Sequence, residues 1–178
     1  MDVPPIRSER LELVSMSPAF LELVLGGARD EAARALGVPL PEAWPGDGES
    51  TLRRRRHQMA ADEGTQPWLL RAIVRREPEP EMVGHINFHG PPDAEGIAEI
   101  GYSVLPAHRR RGYATEAVRA MLDWATREHG VHRFRASVSP ENAPSLAVVR
   151  RLGFTRTGEQ WDEEDGLELV FDLAGWRG

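Results

Sequence analysis

The stretch Arg109-Arg110-Arg111-Gly112-Tyr113-Ala114-Thr115-Glu116 decides the fold, because it joins a strand-like run ending near Pro106 to a long amphipathic helix pattern. Amide groups at the start of a helix lack intrahelical partners, and the helix dipole favours negative charge there. Gly112 can adopt conformations that other residues avoid, and Ala114 lets an anion approach the backbone. The stretch therefore predicts a phosphate-binding loop, with an ordinary strand-to-helix turn carrying solvated arginines as the alternative.

Three further segments point in the same direction as this loop. The loop resembles the Arg/Gln-x-x-Gly-x-Gly/Ala signature of the GNAT superfamily of acyl-CoA N-acyltransferases, in which it holds the pyrophosphate of coenzyme A. Glu99-Ile100-Gly101-Tyr102-Ser103-Val104 resembles the family's central strand, whose splayed end pairs with the pantetheine arm. Asn142 to Phe154 is similar to the family's Asn-x-x-Ser…Gly-Phe segment beside the thioester. Ser8 to Leu13 is typical of the RimJ/RimL-type branch, which includes enzymes that acetylate the N-termini of ribosomal proteins.

The resemblance implies a fold class and an activity. We expect an α/β (α+β) architecture in which residues 1–178 form a single GNAT domain. Its mixed, mostly antiparallel, twisted sheet would have about six to seven strands flanked by about four helices. The implied reaction is acetyl-CoA-dependent acetylation of a primary amine, on a protein N-terminus or a small molecule, by direct attack in a ternary complex. The alternative is a catalytically silent CoA-binding or regulatory module, and a homodimer is left open.

The resemblance also implies which residues hold the cofactor. The backbone amides of residues 110–115 would bind the pyrophosphate with help from arginine charge, and the backbones of Ser103 and Leu105 would pair with pantetheine. The Val104 amide would meet the thioester carbonyl. Asn142 would hydrogen-bond the pantetheine or cap the following helix. Tyr113 and Arg150 would flank the CoA or pack on the surface, so that the full set is Ser103, Val104, Leu105, Arg109, Arg110, Arg111, Gly112, Tyr113, Ala114, Thr115, Asn142, Ser145 and Arg150.

Acyl transfer from a thioester requires positioning of the amine, removal of its proton and management of charge on oxygen and sulfur. Glu99 is the candidate base, because it occupies a central-strand position where several family members place a glutamate; the alternative is a strand glutamate that faces solvent or pairs with arginine. Ser145 matches the family serine that donates to sulfur or pantetheine, unless it only hydrogen-bonds within its helix. Many GNAT enzymes use a tyrosine about one turn further along as the acid. Val149 occupies that position here, which leaves the acid unassigned.

Composition limits the class of protein. The 178 residues, 40% of them hydrophobic, suit one compact domain with its own core. Cysteine is absent, which excludes disulfides and cysteine-ligated zinc, and no metal is predicted. The formal charge of −6 disfavours general nucleic-acid binding. The N-terminal residues lack a signal-peptide pattern and no apolar run approaches the ~18 residues of a membrane span, so a cytoplasmic location without membrane association is expected.

Three polar clusters have alternative interpretations. Arg53–Arg56 lies in a predicted helix, where consecutive side chains point about 100° apart, so a solvated face is favoured over a nucleic-acid or ribosome patch. His85, Asn87 and His89 share one strand face and suggest a polar wall near the acceptor or simple exposure. A metal site at the two histidines is disfavoured, because no carboxylate or third imidazole is close in sequence. The acidic run at residues 162–166 predicts a hairpin turn that attracts a cationic acceptor or is merely solvated.

Hydrophobic periodicity predicts the individual elements. Strands are expected at residues 10–14, 68–74, 81–88, 97–104, 133–138, 154–158 and 167–173. Helices are expected at residues 19–25, 31–36, 50–61, 112–128 and 142–152. Ser17 is the expected N-cap of the first helix, and Gly153 the expected left-handed residue after the last.

Overall fold

A computed structural model describes residues 3–164 and 166–178, except for the side chain of Asp47. This part of the chain forms eight strands: β1 (Ile6–Arg7), β2 (Leu11–Ser15), β3 (Arg71–Arg75), β4 (Glu81–Phe88), β5 (Ile97–Val104), β6 (Arg133–Val138), β7 (Thr155–Asp162) and β8 (Gly166–Ala174). It also forms five α-helices: α1 (Pro18–Leu25), α2 (Arg29–Leu36), α3 (Glu49–Ala61), α4 (Tyr113–His129) and α5 (Ala143–Arg151). Short 3-10 helices occupy Gly46–Gly48, Glu63–Trp68 and Pro106–His108.

All of these strands belong to one sheet, in the order β1-β2-β3-β4-β5-β6-β8-β7. Neighbouring strands are antiparallel except for β5 and β6, which are parallel. The predicted class, a mixed and mostly antiparallel sheet flanked by helices, is therefore confirmed.

The predicted element counts and some boundaries are wrong for local reasons. The extra strand β1 has only two residues, which is too short to show an alternating pattern. The expected strand 68–74 begins late, because Glu63–Trp68 forms a 3-10 helix instead. Strand β7 continues to Asp162, four residues beyond the prediction, because this edge strand is almost entirely exposed and lacks an apolar face to mark it.

The sheet separates two hydrophobic clusters. Strand β3 shows the division, because Ile73 packs with the α4 and α5 side whereas Ala72 and Val74 pack with the α1–α3 side. Helix α4 buries the predicted stripe that includes Ala117, Val118, Met121, Leu122 and Ala125. The sheet is thus covered by helices on both faces.

The predicted helix caps are confirmed. The Ser17 hydroxyl accepts a hydrogen bond from the Phe20 amide at 3.2 Å, with Pro18 as the first residue of α1. Gly153 follows α5 with a φ of +87°, in the left-handed region expected of it. These caps fix where α1 and α5 begin and end.

Strands β5 and β6 separate part of the way along their length. Their parallel ladder joins Ile97, Ala98 and Glu99 to residues 133–135 and ends there. Beyond that point β5 continues beside β4 as far as Val104, whereas β6 continues beside β8 as far as Val138. We call this divergence, between residues 100–104 of β5 and 136–138 of β6, the fork.

Candidate active site

A cavity of about 650 Å³ opens at the fork. Its walls come from α3, β4, β5, β6, the start of α5 and the β7–β8 hairpin. The cavity is lined by three of the predicted site residues, Glu99, Asn142 and Ser145, although 46 positions separate the first from the last in sequence. The other lining residues are Thr51, Arg54, Arg55, His85, Asn87, His89, Ile100, Gly101, Tyr102, Ala136, Ser137, Val138, Ser139, Gln160, Asp162 and Glu168.

Glu99 is held at the point where the two strands part. The Ser137 hydroxyl of β6 donates to Glu99 Oε1 at 2.6 Å, which connects the two sides of the fork. The Gln160 side-chain amide of β7 donates in turn to the Ser137 hydroxyl at 3.1 Å. The Glu99 side chain is 27% exposed. The carboxylate is therefore oriented by the sheet yet open to the cavity.

The three polar side chains predicted to share a face of β4 do line the cavity together. His85 Nδ1 accepts a hydrogen bond from Trp44 Nε1 at 3.3 Å. Burial lowers the pKa of His85 to about 4, so its ring is neutral near pH 7. The side-chain amide of Asn87 donates from Nδ2 to the Phe88 carbonyl at 2.9 Å. These residues form a mostly uncharged polar wall.

The first turn of α5 contributes Ser145 to the cavity wall, where it meets the side chain of Tyr102 from β5. The Asn142 side chain accepts from the Ser145 amide at 3.1 Å and so caps α5, as one of the two sequence-based interpretations expected. The Tyr102 hydroxyl donates to the Ser145 carbonyl at 3.4 Å. Burial raises the pKa of Tyr102 to about 12, which keeps this phenol protonated. Val149, by contrast, is only 1% exposed and lies in the core.

Strand geometry corrects one expectation about the cofactor. The Leu105 amide donates to the Val83 carbonyl of β4 at 2.9 Å, so it is already used within the sheet. Alternate residues of a strand direct their backbone groups to opposite sides, and Ser103 pairs with the β4 strand as well. The expectation that Ser103 and Leu105 offer their backbone groups to pantetheine is therefore wrong. Tyr102 and Val104 are the residues whose backbone groups face the fork.

The loop between β5 and α4 has the backbone conformation that its sequence predicts. Gly112 is the N-cap of α4 with a φ of +81°, and Arg110 is also left-handed with a φ of +61°. The Glu116 amide makes the first helical hydrogen bond, to the Gly112 carbonyl at 3.0 Å. The amides of residues 113–115 therefore precede the helical ladder, where an anion can use them. Arg109 instead folds back, and its Nε donates to the Val104 carbonyl at 3.1 Å.

A group of hydrogen bonds ties the N-terminal segment to this loop. Glu116 Oε1 accepts from the Arg10 amide and the Ser8 hydroxyl, each at 2.7 Å, and Arg10 Nε donates to Oε2 at 2.7 Å. Arg10 Nη1 also donates to the Arg111 carbonyl at 3.0 Å. Burial opposes ionisation of Glu116, but these hydrogen bonds outweigh it and lower its pKa. The family-like start of the chain thus supports the loop.

Of the two side chains predicted to flank the CoA, that of Tyr113 is placed elsewhere. Tyr113 is only 7% exposed, because its ring packs in the core beneath the Arg10 guanidinium at 4.9 Å. Only its backbone amide remains near the loop. Arg150 is exposed on α5, and its place beside the CoA stays a prediction.

The arginine run in α3 does not form a solvated face as a whole. Arg55 is 4% exposed, and its Nη1 donates to Gln58 Oε1 at 2.8 Å and to the His89 carbonyl at 3.1 Å. Burial, and then the charge of Arg54, lower the pKa of Arg55 to about 10. The other three arginines of the run, 53, 54 and 56, form exposed pairs with glutamates. The run therefore helps to build the cavity wall.

Several residues that line the cavity were not predicted as site residues. The acidic hairpin was predicted, but only as a turn that attracts a cationic acceptor or is solvated. Asp162 lines the cavity at the end of β7, while Asp165 lies outside the described residues. Ser137, Gln160 and Glu168 also line it. Single hydroxyl, amide and carboxylate groups in strands carry no local sequence signature, so only the assembled sheet identifies them.

The described residues offer neither a membrane-spanning helix nor a metal-binding cluster. Among their helices, none has the length and apolarity that a membrane crossing requires. Among the same residues, no group of three or more histidine, aspartate or glutamate side chains is arranged to hold a metal ion.

Comparison with protein families defines the class of this protein. A model described as the acetyltransferase (GNAT) domain matches residues 10–155, which span the loop, the fork and the start of α5. The chain belongs to this family.

Individual relatives agree with the assignment. The uncharacterized N-acetyltransferase YjdG of Bacillus subtilis strain 168 is 31% identical over 125 residues, covering 70% of this chain and 74% of that protein. A second B. subtilis protein, the uncharacterized N-acetyltransferase YnaD, is 36% identical over 92 residues, covering 46% of this chain and 54% of YnaD. With the family match, these relatives support N-acetyltransferase activity for this chain.

Solved structures extend the likeness to almost the full length. A GNAT-family acetyltransferase from Bacillus anthracis has a TM-score of 0.65 at 23% identity, covering 96% of this chain and 98% of its own. RimL, a ribosomal L7/L12 alpha-N-protein acetyltransferase solved with coenzyme A, has a TM-score of 0.64 at 18% identity, covering 96% and 97%. At these identities the likeness concerns the fold alone.

Proposed function

We propose that this protein transfers an acetyl group from acetyl-CoA to a primary amine by direct attack in a ternary complex. One observation carries the proposal: Glu99 and the Ser145 turn face each other across one cavity, at the point where β5 and β6 part. From Glu99, the second half of β5 runs along the open side of the fork and is followed by the loop that begins α4. That path suits an elongated thioester cofactor with its reactive end at Glu99.

The cofactor would lie along the second half of β5. The amides of residues 111–115 would hold the pyrophosphate, with the left-handed Gly112 shaping the turn. Pantetheine would add to the sheet in the fork, pairing with the backbone groups of Tyr102. Val104 lies five residues beyond Glu99, about 16 Å along an extended strand, so its backbone would continue this pairing towards the loop rather than meet the thioester oxygen. Asn142 and Ser145 would border the pantetheine from α5.

The chain's own groups account for the proton transfers of the reaction. Glu99 would remove a proton from the acceptor ammonium, and the neutral nitrogen would then attack the thioester carbon. As the C–S bond breaks, the departing sulfur would take a proton from the Ser145 or Tyr102 hydroxyl, or from water. The raised pKa of Tyr102, about 12, keeps that hydroxyl protonated and therefore able to donate.

The acceptor we propose is a protein N-terminus or a small amine. The carboxylates of Glu99, Asp162 and Glu168 line the cavity with the guanidinium groups of Arg54 and Arg55, so that acidic groups exceed basic ones by one, which favours a cationic ligand. The structural likeness to RimL, named for acetylating a ribosomal protein's N-terminus, adds that substrate class as a candidate. A silent cofactor-binding module would instead bind acetyl-CoA and release no thiol with any amine.

Replacing Glu99 tests this proposal. Glu99→Gln keeps the shape but removes the base, so we expect turnover near pH 7 to fall by roughly 10²–10⁴-fold while acetyl-CoA binding persists. The defect should shrink at high pH, where more of the amine is already neutral. The measurement is thiol release from acetyl-CoA against a panel of small amines and N-terminal peptides.

Glu95→Gln is the matched control, because Glu95 is exposed in the loop before β5 and outside the cavity lining. It should retain wild-type turnover. Full activity of Glu99→Gln from pH 6 to 9 would remove Glu99 from the mechanism.

A further inference from the structure

His89 and Glu99 are direct neighbours across the β4 and β5 strands. The His89 amide donates to the Glu99 carbonyl at 2.8 Å, which continues the antiparallel register of the two strands. Residues opposite each other in such a pair place their side chains on the same face. His89 Nδ1 lies 3.7 Å from Glu99 Oε2, slightly longer than a hydrogen bond and within reach of a small side-chain rotation.

Gly101 makes room for the imidazole ring. A Cβ atom added to Gly101 would lie 3.2 Å from His89 Nε2, a distance tighter than most Cβ contacts. Gly101 is also next but one to Glu99 on the same face of β5. Gly101 is not one of the glycines with a positive φ. Glycine is therefore required at this position for space and not for backbone conformation.

The surroundings of His89 keep its ring neutral between turnovers, so that it can take up a proton and then lose it again. Burial lowers the pKa of His89, and Arg55 and Arg54 of α3 lower it further. Glu99 of β5 and Asp162 of β7 oppose this shift without cancelling it. The His89 side chain is 47% exposed and that of Glu99 is 27% exposed. The imidazole is therefore the more exposed of the two neighbouring groups.

Proton balance shows why a second carrier is useful. An ammonium acceptor loses two protons when it becomes an amide, and the departing thiolate takes up only one. The other proton must reach solvent in every turnover. The Glu99 carboxylate can hold one proton at a time, so it must lose that proton before the next turnover.

We propose that His89 carries this proton from Glu99 to solvent. The Glu99 carboxylate takes a proton from the acceptor nitrogen, the carboxylic acid passes it to His89 Nδ1, and the imidazolium releases it to water. No electrons are transferred, and both groups return to their starting state. This inference rests on the proposed function, because it requires Glu99 to act as the base.

The test compares His89→Gln with wild type in thiol-release assays from pH 6 to 9. We expect kcat near pH 7 to fall roughly 10–100-fold, with acetyl-CoA affinity unchanged, because one proton-transfer step is lost. Added imidazole should restore much of the activity, which a purely structural role would not allow. His57→Gln, at an exposed position of α3, is the matched control.

A second variant and a second measurement keep the test decisive. Gly101→Ala should displace the ring and lower kcat in the same pH-dependent way. In NMR titration of the wild type and Glu99→Gln, the pKa of His89 should be lower in the variant, because the neighbouring negative charge is gone.

The outcomes separate the relay from the base. Wild-type kcat and no imidazole effect in His89→Gln, alongside a slow Glu99→Gln, would overturn the relay alone. Wild-type turnover in Glu99→Gln would overturn the proposed base and the relay with it.

Discussion

His85 is a residue whose protonation the fold opposes from two directions. Burial lowers its pKa from 6.5 to about 4, and the Trp44 indole N–H needs an unprotonated Nδ1 as its acceptor. Between these two pH values the unfolded chain binds more protons than the folded chain. The contribution of His85 to the free energy of unfolding therefore falls as the pH falls from 6.5 towards 4.

Replacing His85 should weaken this acid sensitivity. We expect the wild type to lose roughly 2–3 kcal/mol of unfolding free energy across that range from His85 alone, and His85→Gln to lose that much less. Urea unfolding at pH 7 and at about pH 4.5 measures the difference. His57→Gln should keep the wild-type slope, and an identical slope in His85→Gln would show that burial does not hold the ring neutral.

Ser145 and Tyr102 present two hydroxyl groups at the same turn of α5, connected through the Ser145 carbonyl. Because either hydroxyl or water can protonate the departing sulfur, Ser145→Ala and Tyr102→Phe should each lower kcat by less than about 10-fold. The double variant should lose more than the product of the two single effects. Steady-state rates of all four proteins measure this, and wild-type kcat in the double variant would exclude both hydroxyls as donors.

At the scale of elements, the contact between β4 and β5 depends on Gly84. A Cβ at this position would lie 2.2 Å from the Ser103 carbonyl oxygen and 3.0 Å from Val104 Cα. Both are backbone atoms, so no side-chain rotation can relieve the clash. The segment of β5 that Gly84 supports is the one that faces the fork.

Gly84→Ala should therefore lower the free energy of unfolding by roughly 1–3 kcal/mol, the usual cost of overpacking. Acetyl-CoA affinity should fall too, because β5 must move at the fork. Gly158→Ala on β7 is the control, since no atom lies within 4 Å of its added Cβ. Equal melting temperatures for the two variants would argue against a tight β4–β5 crossing.

Elements with a local pattern were predictable, and those without one were not. The bounds of β4, β5 and β6 match the predictions residue for residue, because buried strands show strong apolar patterns. Strand β7 has almost no buried residue, so its second half was missed. The direction of the β5 backbone groups depends on register with β4, and the Leu105 expectation failed for that reason.

At the scale of the whole molecule, the site is a product of sheet topology. Glu99 receives its hydrogen bond from Ser137 only because β6 runs parallel to β5 and then turns towards β8. The sequence predicted the class and several lining residues through four segments in family order. It did not predict Ser137, Tyr102 or Gln160, because their roles arise from long-range contacts. The contact between His89 and Glu99 likewise depends on the pairing of β4 with β5, which the sequence does not show.

We propose that the β5–α4 loop holds the acetyl-CoA pyrophosphate through its backbone amides. Calorimetric titration of acetyl-CoA into wild type, Gly112→Asp, Gly112→Asn and Arg110→Ala tests it most directly. Asparagine and aspartate both tolerate the left-handed φ of +81°, so the two Gly112 variants differ mainly by one negative charge.

We predict that wild type binds acetyl-CoA and that Gly112→Asp binds it least, with Gly112→Asn between them. Arg110→Ala should cost only roughly 2–5-fold, as expected for an exposed charge. Thermal melting of each variant checks that the fold is intact. Equal acetyl-CoA affinity in wild type and Gly112→Asp would contradict this placement of the cofactor.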